Sequence, residues 1–194
     1  SYLNQVFASS YLGARFLNPL IHMLCSLLIL KSAETLKGDR LTGEQTVLWF
    51  GLTQTVPYFH IGSISLMPDI PLLLFCSIFL ERAIYVVKKH NAASYNYAFL
   101  GLLLGLGFNS KYHAIVLLGM MAFSAFLFEK KFRNLKSLTL FLIGLAVGIF
   151  PVFYWNYLND FTSFKFQTNH GFADLHFKPL FFFQTTLAQI VLFG

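Results

Sequence analysis

The chain has 194 residues, of which 56% are hydrophobic and 11% are charged. Soluble domains carry about 25% charged residues, and a domain of this size leaves many of its side chains at the surface. Twenty-four phenylalanines and a mean hydropathy of +0.62 therefore exclude a water-soluble globule, a disordered chain and a disulfide-stapled secreted module. The solvent for most of this protein is predicted to be lipid.

The remaining bulk features fit a membrane protein. Cys25 and Cys76 lie in apolar stretches without Cys or His at metal-binding spacing, which indicates small buried side chains. The net charge of +6 resides in short basic clusters between apolar stretches, so it indicates membrane topology and no nucleic-acid partner. The chain begins without methionine and ends on apolar residues, and we expect it to be part of a longer protein.

Successive apolar stretches approach the length of about 20 residues that a helix needs to cross a bilayer. The predicted spans are 16–36, 46–66, 70–87, 95–109, 112–128 and 137–155, with a seventh beginning near Pro179. The fourth and fifth are short, so their corner at 109–111 is predicted to lie below the membrane surface. The predicted fold class is all-α, a polytopic transmembrane helix bundle of about seven spans.

Basic residues predict the orientation of this bundle. Three alternate connections hold ten of the fourteen, namely Lys31, Lys37, Arg40, Arg82, Lys88, Lys89, Lys130, Lys131, Arg133 and Lys136. The other side holds only Arg15, Lys111, Lys165 and Lys178. By the positive-inside rule the basic side is cytoplasmic and the other side is outer.

Local motifs predict helix starts and contacts. Residues 42–45 read Thr-Gly-Glu-Gln, a capping box that opens the second span. Glycines at 101, 105, 107, 144 and 148 have the small-xxx-small spacing that lets helices approach closely. Pro57 and Pro151 are expected to kink their spans, with neighbouring groups satisfying the freed carbonyls.

Two ionisable residues on the outer side are candidates for function. Asp69, in Met-Pro-Asp-Ile-Pro at 67–71, is either an N-cap of the third span or a carboxylate that faces a polar cavity. Lys111 stands among Asn, Ser, Tyr and His on a short outer turn, where it either snorkels to the interface or binds a phosphate. His113 would add a donor, and Arg15 is either a second cation for that phosphate or an interfacial anchor.

The longest outer connection, 156–178, interleaves aromatic and polar residues as a sugar site requires. Aromatic rings stack on apolar sugar faces, while amides, carboxylates and cations bind hydroxyls. The sugar-binding or acceptor-binding candidates are Trp155, Asn156, Asp160, Lys165 and His170. The alternative is an amphipathic helix that lies in the membrane interface.

Taken together, the motifs resemble a known family. They are GARFL at 13–17, MPDIPLLLF at 67–75, the stretch from 101 to 112, PVFYWN at 151–156 and DFTSFKFQ at 160–167. In this order they resemble membrane glycosyltransferases of the protein O-mannosyltransferase type, glycosyltransferase family 39 with the GT-C fold. The bacterial branch of that family includes the lipid A aminoarabinose transferases.

The resemblance implies an enzyme that moves a hexosyl or pentosyl group from a polyprenyl-phosphate donor to a hydroxyl of an envelope lipid, glycan or protein. It implies that Lys111 and Arg15 contact the donor phosphate, that Asp69 is a cavity carboxylate, and that the region 155–167 helps to shape the sugar or acceptor site. His113 remains a phosphate candidate from its place beside Lys111. The family's catalytic base lies in a first outer loop, which we expect to precede this chain together with the first span. A C-terminal part is also expected to be missing, so we expect the chain alone to be inactive.

The resemblance further implies a bacterial inner membrane, with the site facing the periplasm or exterior and in contact with membrane lipids. No metal ligands are predicted, although a divalent cation is left open. The alternatives are a secondary transporter or lipid-linked-sugar flippase, a membrane scaffold, and an acyl- or phosphotransferase that uses a lipid-phosphate donor. A transporter would carry ionisable residues deep in its spans, whereas those of this chain gather at the outer rim.

Overall fold

The computed structural model describes residues 11–54, 69–89, 93–129, 132, 134–172 and 179–193. Within this part of the chain all regular structure is helical, which confirms the predicted fold class. In chain order the helices are α1 (Tyr11–Lys37), α2 (Gly43–Gln54), α3 (Asp69–Lys88), α4 (Tyr95–Ser110), α5 (Ala114–Phe128), α6 (Leu135–Leu158), α7 (Thr162–Phe172) and α8 (Pro179–Phe193).

Three helices are long and apolar enough to cross a membrane: Leu17–Lys37 within α1, Asp69–Lys88 and Leu135–Leu158. They coincide with the first, third and sixth predicted spans. Helices α4 and α5 are short, as predicted, with 16 and 15 residues. Only the start of the second predicted span lies among the described residues, in α2. The total of about seven spans stays a prediction.

Helix α4 packs against α6 through four of the five predicted glycines, whereas the fifth, Gly107, faces Leu118 of α5. A Cβ on Gly101 would overlap the carbonyl oxygen of Phe141, and a Cβ on Gly144 would overlap that of Ala98. A Cβ on Gly105 would come within 2.7 Å of the Gly148 backbone. Only hydrogen fits at these positions, so the small-xxx-small stripe is confirmed as the contact surface between the two backbones.

An aromatic core lies at the end of the bundle where α4 begins. Phe132 meets the ring of Tyr97 at a centroid distance of 5.1 Å and that of Phe126 at 5.6 Å, both edge to face. Nearby on α3, the buried Glu81 forms an ion pair with Lys31 of α1 at 2.8 Å. This end carries the basic connections and is well packed.

The predicted capping box opens α2. Gln45 N donates to Thr42 Oγ1 at 3.3 Å, and Thr42 N donates to Gln45 Oε1 at 3.2 Å. Two backbone N–H groups at the start of the helix are therefore satisfied reciprocally, which confirms the sequence prediction.

The predicted outer connection contains helix α7 over residues 162–172, in agreement with the helical alternative for this segment. Helix α6 also continues to Leu158, beyond the predicted end of its span at 155. The two helices are joined by a corner at 159–161, so most of the candidate sugar segment is helical. Its interleaved aromatic and polar side chains are compatible with a loop or with a helix, and the structure shows the helix.

Candidate functional site

The two outer ionisable residues meet in an ion pair. Lys111 Nζ lies 2.6 Å from Asp69 Oδ1, with 40% of the lysine side chain and 27% of the aspartate side chain exposed. Asp69 begins α3, where the positive end of the helix dipole also favours a carboxylate. Lys111 caps the C-terminus of α4 in an extended conformation that turns it out of the helix. The pair joins the start of α3 to the end of α4.

A cavity of about 340 Å³ lies beside this pair. It is lined by Asn109, Ser110, Lys111, Tyr112, His113 and Gln167. Its volume lies within the range of about 300–1,000 Å³ found for ligand sites. The lining offers one ammonium, one imidazole, two amides and two hydroxyls, which together suit an anionic, hydroxyl-rich ligand.

Three polar side chains connect the α4–α5 turn to the corner after α6. The Tyr112 hydroxyl and Ser163 Oγ are 2.5 Å apart, and Ser163 Oγ donates to Asn156 Oδ1 at 2.9 Å. The amide of Asn156 donates in turn to the carbonyl of Val152 at 2.9 Å. Asn156 is fully buried, so both ends of its amide are used inside the protein.

The corner between α6 and α7 has an unusual backbone. Asp160 and Phe161 have φ angles of 51° and 55°, in the left-handed region that non-glycine residues rarely adopt. Two bonds fix this conformation: Phe161 N donates to the carbonyl of Asn156 at 2.8 Å, and Thr162 N donates to that of Asn159 at 3.0 Å. Residues held in this way by their surroundings often belong to functional sites.

Asn109 ties the end of α4 to the proline-containing part of α6. Its Nδ2 donates to the carbonyl of Gly148 at 2.6 Å. The residue before Gly148 is Val147, whose carbonyl has no helical donor because Pro151, four residues later, lacks an N–H. Asn109 therefore links the end of α4, which presents Lys111, to the α6 residue that follows the freed carbonyl.

The remaining predicted residues are distributed as follows. His113 is exposed and lines the cavity, whereas Trp155, Asp160 and Lys165 are exposed along the end of α6, the corner and α7. Arg15 lies on α1 and His170 on α7, but their side chains fall outside the described residues. Among the described residues, no group of three or more His, Cys, Asp and Glu side chains is arranged to hold a metal ion.

The sequence predicted no role for the hydroxyls of Tyr112 and Ser163. It placed Asn109 only among the donors around Lys111, and Gln167 only within the sugar-binding region 155–167. All four stand inside motifs that it singled out, so polar residues next to Lys111 and after Trp155 were the available signal. Their contacts join positions 39 and 51 residues apart. Local periodicity carries no information at that separation.

A bundle of apolar helices, three of them of spanning length, defines a multi-spanning membrane protein, and a polar cavity lies at one end of the bundle. The chain belongs to the dolichyl-phosphate-mannose-protein mannosyltransferase family, whose model matches residues 1–155. Both the family and the GT-C type agree with the resemblance described above.

One characterised relative is a lipid A galacturonosyltransferase, RgtD, of Rhizobium johnstonii. It is 26% identical over 152 residues, which cover 78% of this chain and 31% of the relative. The chain therefore spans about a third of the length of that relative. No solved structure gives a significant match.

Proposed function

We propose that this protein is a membrane glycosyltransferase that moves a sugar from a polyprenyl-phosphate donor to a hydroxyl of an envelope lipid, glycan or protein. The 194 residues would form part of its transmembrane domain. Family membership supports the activity, since the family is named for transfer from a sugar carried on an isoprenoid phosphate. The relative named for transfer to lipid A supports an envelope acceptor.

The observation that carries the proposal is the Lys111–Asp69 pair at the edge of the polar cavity. Among the described residues that line that cavity, Lys111 is the only one with an ammonium, and its side chain remains 40% exposed. An ammonium recognises a phosphate as a point charge, and in an apolar bundle a partly exposed cation next to a cavity usually serves function. Asp69 holds the ammonium in position until the donor phosphate approaches.

The transfer reaction requires a hydroxyl oxygen to attack the anomeric carbon of the donor sugar. A new C–O bond forms while the bond between that carbon and the phosphate oxygen breaks, and the electron pair leaves with polyprenyl phosphate. The hydroxyl proton passes to a carboxylate base, which the family resemblance assigns to a loop that precedes the matched motifs. Lys111, with Arg15 and His113 as further candidates, would stabilise the charge that develops on the phosphate.

The same arrangement supports an outer-facing site. The cavity lies at the end opposite to the basic connections, which the positive-inside rule assigns to the cytoplasm. We therefore propose that the donor is used at the outer face of a bacterial inner membrane. Trp155, Asp160, Lys165 and His170 are candidate contacts for the sugar or the acceptor.

The test uses the full-length protein in right-side-out and inside-out vesicles supplied with radiolabelled polyprenyl-phosphate sugar. Lys111→Ala is expected to lower transfer at least about 100-fold, as loss of a charge-stabilising group does, while expression stays normal. Lys136→Ala is the matched control, because it removes an exposed lysine at the opposite end. Unchanged transfer by Lys111→Ala would refute the proposal, and label that crosses the membrane on its lipid would indicate a flippase.

A charge exchange separates phosphate binding from the structural ion pair. Asp69→Lys and Lys111→Asp, combined in one variant, recreate the pair with its charges reversed. The thermal unfolding midpoint of this double variant should therefore lie closer to that of the wild type than the midpoint of either single variant does. Transfer should stay lost, because the cation then begins α3 and a carboxylate faces the cavity. Recovery of transfer along with stability would mean that Lys111 acts only as a structural partner.

A further inference from the structure

Helix α7 is fixed to the Lys111 turn by a directional chain of hydrogen bonds. Ser163 Oγ has one proton, which it donates to Asn156 Oδ1, so the Tyr112 hydroxyl is the donor to Ser163. The amide of Asn156 is oriented by its own bond to the carbonyl of Val152. Each group in the chain thus has one satisfied orientation, and a fully satisfied network of this kind, anchored on the buried Asn156, is rigid.

Aromatic packing holds the same helix independently. The ring of Phe164 lies 5.4 Å from the ring of Tyr112 on one side and 5.4 Å from the ring of Phe153 on the other. Phe164 therefore bridges the α4–α5 turn and α6. Both the polar and the apolar contacts fix the first turn of α7 against the turn that carries Lys111.

This docking determines which α7 side chain reaches the cavity. Gln167 follows Ser163 by four residues and Phe164 by three, so it shares their face of the helix. It lines the cavity with residues 109–113 and is the lining residue contributed by α7. Its amide provides an acceptor and two donors, which can pair with sugar hydroxyls, whereas the ammonium of Lys111 can only donate.

We propose that Gln167 contacts the sugar of the lipid-linked donor, and that Tyr112 and Ser163 are positioning residues that act through it. This inference rests on the proposed function, which assigns the donor phosphate to Lys111. The cavity is then divided between a cationic part for the phosphate and an amide part for the hydroxyls. Gln167 thereby becomes a determinant of which sugar the protein accepts.

The first experiment compares donors with and without a sugar in the full-length protein. Gln167→Ala should raise the KM for the polyprenyl-phosphate sugar about tenfold, equivalent to about 1.4 kcal/mol. It should leave the inhibition constant of sugar-free polyprenyl phosphate unchanged. Thr168→Ala is the matched control, because that hydroxyl of α7 bonds to the Phe164 and Lys165 carbonyls of its own helix.

A second experiment tests the positioning role. Tyr112→Phe and Ser163→Ala each remove the hydroxyl contact, and each should raise the KM for the sugar donor in the wild-type background. In the Gln167→Ala background neither should raise it further, because the residue through which they act is gone. Using two variants keeps this test valid if one of them folds poorly.

The outcomes distinguish the two proposals. If Lys111→Ala abolishes transfer while Gln167→Ala leaves the KM unchanged, or changes KM and the inhibition constant equally, the role of Gln167 is refuted and the proposed function stands. If Tyr112→Phe or Ser163→Ala adds its full effect to that of Gln167→Ala, the positioning role is refuted. If Lys111→Ala retains full transfer, the proposed function itself fails.

Discussion

Polar residues carry most of the specific information in this chain, because they are few and costly to bury in an apolar bundle. Asn156 is the strongest case, because it is fully buried and both the oxygen and the nitrogen of its amide have hydrogen-bond partners. Its side chain therefore stabilises the corner between α6 and α7. The same environment makes Lys111 and Asp69 informative, since partly buried ions are retained where they pair or bind.

Removing the Asn156 amide should destabilise the protein measurably. Asn156→Ala leaves the half-buried Ser163 Oγ without its acceptor, and the loss of a hydrogen bond costs about 0.5–1.5 kcal/mol. The thermal unfolding midpoint in detergent should fall accordingly. Asn159→Ala is the control, because that amide donates to the Trp155 carbonyl at an exposed position. Equal effects of the two substitutions would contradict a special role for the buried amide.

At the scale of elements, the contact between α4 and α6 sets the framework on which the site stands. The glycines on both helices let the backbones touch, and this contact fixes α6 relative to the end of α4 that presents Lys111. Asn109 then links the two helices next to the cavity. A substitution in the glycine stripe would therefore shift α6 relative to the end of α4 and so displace the residues that line the cavity.

The effect of a single methyl group on this contact depends on its position. Gly101→Ala would place a Cβ against the Phe141 carbonyl, so it should lower the free energy of unfolding by about 1–3 kcal/mol or more, as overpacking does. In Gly119→Ala on α5 the added Cβ would have no atom within 4 Å. The higher helix propensity of alanine should therefore stabilise the protein by up to about 1 kcal/mol. Thermal unfolding of both variants measures the difference, and a stable Gly101→Ala variant would contradict the close contact.

At the scale of the whole molecule, the two ends of the bundle differ in chemistry. One end carries the basic connections together with an aromatic core and the Lys31–Glu81 pair. The other end carries the polar cavity and α7. This asymmetry is the one that the proposed orientation requires, with the basic end at the cytoplasm and the cavity on the opposite face.

Cysteine labelling with a membrane-impermeant maleimide tests this orientation. Thr168→Cys on α7 should be labelled in right-side-out vesicles, and Asp39→Cys between α1 and α2 should be labelled only in inside-out vesicles. The native thiols are the internal control, because Cys25 is buried and Cys76 half-buried within α1 and α3. The reverse pattern would place the cavity at the cytoplasmic face.

Much of the fold could be predicted because lipid imposes simple demands. Every backbone group must be bonded internally in a bilayer, so apolar stretches become helices and their lengths are readable from the sequence. The glycine stripe and the Thr42 capping box are likewise local patterns, and both are confirmed. The segment after 156 was less predictable, because interleaved aromatic and polar residues fit either a loop or a helix.

The sequence by itself determined the solvent, the helical class and the individual candidates Asp69 and Lys111. Only the tertiary structure decided that these two residues pair, that Tyr112 reaches Ser163, and that Gln167 joins the cavity. The physical reason is separation along the chain: these contacts join residues 42 and 51 positions apart. Periodicity assigns a side chain to a face of its own helix, whereas packing between helices determines what that face meets.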